Sequence, residues 1–271
     1  MTKLASLVIV AVITLVAGSI SHAAPVFDSD VSVFDSSVPP EAGPPLIVPV
    51  GGSGITNGNF AVDTFSGGGV DVQVGLRAIE RFVDGLNNAG PVYFAPAGQS
   101  PPGEALWNFE LHVDTGTTAL TGGTPPPLGD ATANTFSDFA IIFEIDTDPS
   151  AAVDYTIVTD LSTLIIDPTP DAPGSGDEFS LGGAQLFQAS QNLGFSFIGF
   201  PGFDPTLVGA EYNFKLSIFD PEDLAGLGEE ALLAGVEITV VTTPEPSSLA
   251  LLGMGAVGIV AASRRRRRQR A

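Results

Sequence analysis

Ala105-Leu106-Trp107-Asn108-Phe109-Glu110-Leu111-His112-Val113-Asp114 is the stretch on which the fold turns. Trp107, Phe109, Leu111 and Val113 alternate with Asn108, Glu110 and His112. In an extended backbone successive side chains point to opposite faces, so this alternation predicts a strand with one apolar and one polar face. The polar face is expected to be solvated, with His112 in water beside Glu110.

Moving outward, Val70, Val72, Val74 and Leu76 alternate in the same way with Asp71, Gln73, Gly75 and Arg77. Further strands are predicted at residues 60–63, 92–95, 139–146, 154–159, 184–188, 195–200, 212–219 and 236–241. Turn-rich links at 100–103, 121–129 and 167–176 separate some of them. One short helix is predicted at 221–233, because Pro221 suits a first turn and Glu222 and Asp223 favour a helix N-terminus. Short strands without alternating helices predict an all-β fold, an antiparallel β-sandwich. The closing pair, 211–219 and 234–242, resembles the last strands of immunoglobulin-like or fibronectin-like modules, with Tyr212 near the place of a corner tyrosine. A jelly roll fits nearly as well.

Charge is segregated along the 271 residues. Residues 24–243 hold 30 acids and three cations (Arg77, Arg81 and Lys215), a formal charge of −27. Such a surface repels phosphate backbones, so no nucleic-acid partner is expected. The chain has no cysteine, which excludes disulfides, thiolate catalysis and Cys-type zinc sites.

The two ends differ from the span between them. Lys3, an apolar run from Leu4 to Gly18 and Ser21-His22-Ala23 have the order of a secretory signal peptide over residues 1–23. Cleavage is expected between Ala23 and Ala24, with small residues at −3 and −1, whereas cleavage after Ala24 would put Pro25 at +1 and is disfavoured; an uncleaved anchor is the rival reading. Residues 24–50, proline-rich and aperiodic, read as an extended leader or edge segment, and residues 51–242 as the ectodomain. The last segment, 243–271, begins with Thr243-Pro244-Glu245-Pro246. An apolar run follows, with Leu249–Val260 as its spanning part, and then Arg264, Arg265, Arg266, Arg267 and Arg268. The arginines mark a cytoplasmic end by the positive-inside rule.

This order of tripeptide, hydrophobic helix and arginine cluster resembles the PEP-CTERM sorting signal of exported bacterial proteins. The resemblance implies recognition at Pro244, Glu245 and Pro246 by an exosortase-type membrane enzyme. It also implies transient anchoring in the inner membrane and delivery to the cell surface or extracellular matrix. An ordinary tail anchor is the plainer alternative. Residues 54–81 and 105–109 are in addition similar to an ectodomain found repeatedly on such proteins.

No catalytic, cofactor or metal residue is assigned. A Ser-His-Asp hydrolase would have to use His112, and no Gly-x-Ser-x-Gly elbow occurs. With so many acids, paired carboxylates have no diagnostic weight for a glycosidase. Glu144-Ile145-Asp146-Thr147-Asp148 could hold Ca²⁺ at a strand end but lacks the Asp-x-Asp-x-Asp-Gly loop, so a charged turn is the simpler reading. Gly253-x-Gly255-x-x-Gly258 follows no strand, and helix packing explains it better than dinucleotide binding. The expectation is a non-enzymatic, structural or adhesive surface protein. A calcium- or carbohydrate-binding surface module, with Ca²⁺ or exopolysaccharide as its partner, is the alternative, and a secreted hydrolase a more distant one.

Overall fold

The structure, a computed structural model, describes residues 24–31, 46–50, 57–67, 70–81, 85–115, 134–166, 179–194, 203–220 and 232–244. In chain order the strands are β1 (Val26–Ser29), β2 (Leu46–Val50), β3 (Phe60–Gly67), β4 (Val70–Glu80), β5 (Asn87–Ala89), β6 (Val92–Pro96) and β7 (Trp107–Asp114). They continue as β8 (Ala140–Asp146), β9 (Ile157–Asp160), β10 (Ile165–Ile166), β11 (Phe179–Ser180), β12 (Ala184–Gln191), β13 (Glu211–Phe219) and β14 (Leu232–Thr243). The only helices among the described residues are single 3₁₀ turns at Phe136–Asp138, Leu161–Thr163 and Leu181–Gly183.

Two six-stranded sheets result, ordered β1-β3-β4-β7-β12-β2 and β5-β6-β14-β13-β8-β9, beside a small β10-β11 pair. Each sheet owes its inner face to the alternation visible in sequence. Val72, Val74, Leu76, Trp107, Phe109, Leu111 and Val113 from the first sheet share one buried cluster with Ile141, Phe143, Tyr212, Phe214, Leu216, Ile238 and Val240 from the second. Aromatic rings join the layers: Phe109 stacks on Phe214 at 4.9 Å between centroids, and Trp107 lies 6.0 Å from Tyr212. Large rings on facing strands bury much apolar area per residue and favour offset or edge geometries of this kind. Asp63 bridges the layers by another route, its carboxylate accepting the Gly235 backbone N–H at 2.8 Å.

The all-β class holds, but the sheets are mixed rather than purely antiparallel. β2 runs parallel to β12, and β6 parallel to β14. Such pairings need long crossovers, which a reading of local hairpin signals does not detect. The stretch read as a leader or edge segment supplies β1 and β2, the two edges of the first sheet. The helix expected at 221–233 is corrected at its end, where Leu232 and Leu233 already belong to β14. There Phe219 pairs with Leu232 and Ile218 with Ala234, and ladder pairing overrides a local helical preference. Residues 221–231 lie outside the described residues, as do the strand expected at 195–200, the signal segment 1–23 and residues 245–271.

A second correction concerns His112. Glu110, His112 and Asp114 lie on the outer face of β7, yet all three are fully buried. That face has a cover of its own. A Cβ built on Gly75, the partner of His112 in β4, would meet Val31 Cγ1 at 3.1 Å and Phe60 Cδ1 at 3.2 Å. Val31, Phe60 and Val62 form a small separate apolar cluster over these strands.

Candidate functional site

The junction between the folded domain and the C-terminal tail is built by the last strand. β14 is held between β13 and β6, and its pairing with β6 runs from Thr239 opposite Val92 to Thr243 opposite Pro96. Thr242 is buried; its Oγ1 donates to the Leu207 carbonyl at 2.6 Å and accepts the Ala210 N–H at 2.9 Å. The Ala97 N–H donates to the Thr243 carbonyl at 2.8 Å, and Thr243 Oγ1 donates to the Ala95 carbonyl at 3.2 Å. Pro244 has no N–H to continue a ladder and restrains the residue before it to extended backbone, so the strand ends there. Pro244 is exposed. The sheet therefore grips the chain up to the residue before the tripeptide, with no linker between them.

Of the residues assigned to sorting and processing, Pro244 and Ala24 are described, and both are exposed. Ala23, Glu245, Pro246, the apolar run and Arg264 to Arg268 lie outside the described residues.

The start of β13 is tied to the same junction. The Tyr212 hydroxyl donates to the Asp204 carbonyl at 2.8 Å, eight residues upstream, as a corner tyrosine does. Burial pushes the phenol's pKa up to about 12, against the hydrogen bond to the Asp204 backbone, which lowers it.

The outer face of the first sheet carries a polar row that sequence reading left in water. Arg77 Nε donates to Glu110 Oε2 at 2.6 Å, and Arg77 Nη1 donates to the Gly58 carbonyl at 2.5 Å. The guanidinium lies 4.4 Å above the Phe60 ring. Burial raises the Glu110 pKa, while Arg77 and Ser190 pull it down. Beside this pair, His112 Nδ1 lies 3.0 Å from Gln188 Nε2, and its other ring nitrogen is buried without a hydrogen-bond partner. Burial alone pushes the imidazole down to about 3, so the ring is neutral at physiological pH, with Nδ1 accepting from Gln188 in the Nε2–H tautomer. A ring closed off from solvent and hydrogen-bonded to an amide is placed as a packing element.

The acidic corner after β8 is used locally. Asp146 is buried, and its carboxylate oxygens accept the backbone N–H groups of Asp148 and Asp154, each at 2.9 Å. Glu144 pairs with Lys215 at 2.8 Å. Among the described residues no group of three or more His, Asp or Glu is placed to hold a metal ion. Each of the three cations of the ectodomain has a carboxylate partner: Arg77 with Glu110, Arg81 with Glu104 and Lys215 with Glu144. The one sequence signal for the buried pair was that Arg77 and Glu110 share the polar parity of neighbouring strands.

Comparison with known proteins bears on the tail. Residues 242–267 match the family model described as the PEP-CTERM protein-sorting motif. No curated protein and no solved structure matches the chain.

Proposed function

We propose that this chain, which carries a PEP-CTERM protein-sorting motif at residues 242–267, is an exported, non-enzymatic protein of the cell surface or extracellular matrix with a structural or adhesive role. The single observation that carries the reading is the position of that motif, which starts on the last two residues held by the sheet. PEP-CTERM signals are recognised by exosortase, a membrane enzyme, so such an enzyme is the first partner. The domain, a two-layer sandwich in this reading, is the cargo that is handed over folded. Residues 1–23 serve as a removed signal peptide, and 249–260 span the inner membrane until processing near Pro244 to Pro246. Arg264 to Arg268 stay in the cytoplasm. The sealed His112 and the locally engaged Asp146 support a cargo without catalysis of its own.

The test is the intact mass of the protein from each cell fraction of its host. A surface or medium species beginning near Ala24 and ending near Pro246 is expected. A chain that keeps Arg264 to Arg268 and stays in the inner membrane would make it a permanently tethered protein.

A further inference from the structure

The end of the domain that carries Pro244 also carries three of the six large apolar side chains left exposed among the described residues. Leu207 and Val208, 40% and 59% exposed, sit in the turn before β13. That turn is fastened to the end of β14: the Gly209 N–H donates to the Thr242 carbonyl at 2.8 Å, and the Thr242 hydroxyl to the Leu207 carbonyl. Val153, 52% exposed, lies in the link between β8 and β9 at the same end, where the Pro149 carbonyl accepts the Glu211 N–H at 3.3 Å. Exposed apolar groups on adjoining loops offer a surface that a neighbouring phase can cover.

The length of the following chain identifies the contact. Five residues, 244–248, separate the sheet from Leu249, the first residue of the spanning run. Fully extended they reach at most about 18 Å, and two of the five are prolines. A tail that enters the bilayer at Leu249 therefore keeps this end of the domain within about 18 Å of the hydrocarbon core, close enough for its loops to reach the headgroups. We propose that Leu207, Val208 and Val153 dock into the interface of a bilayer poor in anionic lipid, beside the tail that anchors the chain. The inference rests on the anchoring read from the sorting motif.

The lipid preference follows from the rim. Asp148 and Asp154 share the β8–β9 link with Val153, and Asp204 shares the turn before β13 with Leu207 and Val208. Hydrogen bonds from Ser150 hold Asp148, and from Thr206 hold Asp204, below the usual carboxylate range, so both stay charged. Anionic headgroups would repel this rim, while small apolar side chains can still seat in a zwitterionic interface.

The chain has no cysteine, so a single introduced thiol labels one place. The full chain is labelled with an environment-sensitive fluorophore at Val208→Cys, or at Ser66→Cys on the far end as control. It is then reconstituted into protein-free phosphatidylcholine–phosphatidylethanolamine vesicles with and without brominated lipid. Flotation of the vesicles reports anchoring independently. Docking is expected to give about twofold quenching at 208 and none at 66, weakening as phosphatidylglycerol is added. With the label moved to Val153→Cys, adding Leu207→Ser and Val208→Ser should lower the quenching there. Chains that float but are quenched equally at 208 and 66 would overturn the docking and leave the anchoring intact. Chains that do not float would overturn both. Shielding of residue 208 in native membranes but not in these vesicles would overturn the bilayer and assign the surface to a membrane protein.

Discussion

His112 differs between folded and unfolded chains in the proton it can hold. Burial depresses its folded pKa to about 3 from an ordinary 6.5. Above pH 6.5 both forms are neutral, and the histidine contributes no pH dependence. As pH falls below 6.5 the unfolded chain takes up a proton that the folded chain refuses, and stability is lost down to the folded value. The slope is about 1.4 kcal/mol per pH unit, or about 2 kcal/mol between pH 6.5 and 5. Glu110 acts in the opposite sense, because its folded pKa is raised and the cost of holding it charged is relieved as it protonates. The variant His112→Gln should therefore lose less stability than the parent between pH 7 and 5 in urea denaturation; equal losses would place the acid sensitivity elsewhere. The alternation around Trp107 correctly assigned the two faces of this strand. It carried no sign that Val31 and Phe60, 81 and 52 positions away from His112, would close over the polar one.

Elements are joined by backbone approaches that leave no room for a side chain. After β12, Asn192 Nδ2 lies within 2.9 Å of the Ala105 and Trp107 carbonyls, and its Oδ1 accepts the N–H groups of Ala105 and Gly194, each at 3.0 Å. This amide replaces ladder bonds where β7 begins. It brings Gly194 so close that a Cβ there would lie 1.9 Å from the Gly103 carbonyl oxygen. Gly194→Ala is expected to cost about 3 kcal/mol through the backbone shift it forces. Gly183→Ala, whose Cβ meets nothing within 4 Å, should stay within about 0.5 kcal/mol. Equal effects in chemical denaturation would contradict the close approach. The long alternating elements, β4, β7, β13 and β14, were legible because their period repeats over eight residues or more. The shorter β1, β2 and β5 were not, since their residues show no alternation of apolar and polar side chains and their pairing comes from partners distant in sequence or from a short neighbour.

Across the whole molecule, the excess of acid makes the folded domain repel itself, and added salt should raise its melting temperature by screening. With Asp146 bound to backbone N–H groups, Ca²⁺ is expected to act as one more screening ion. At matched ionic strength, CaCl₂ and NaCl should give the same thermal shift; a further rise with Ca²⁺ would reveal a bound ion. The sequence by itself determined the tail motif and the inner faces of the long strands, because both are local patterns, one of order and one of period two. Only the tertiary structure decided that the first sheet is buried on both faces at its centre. It alone placed residues 26–29 and 46–50 at that sheet's edges, and an apolar turn beside Pro244. Those outcomes depend on which distant segments meet, and local alternation fixes the direction of a side chain without saying what will cover it.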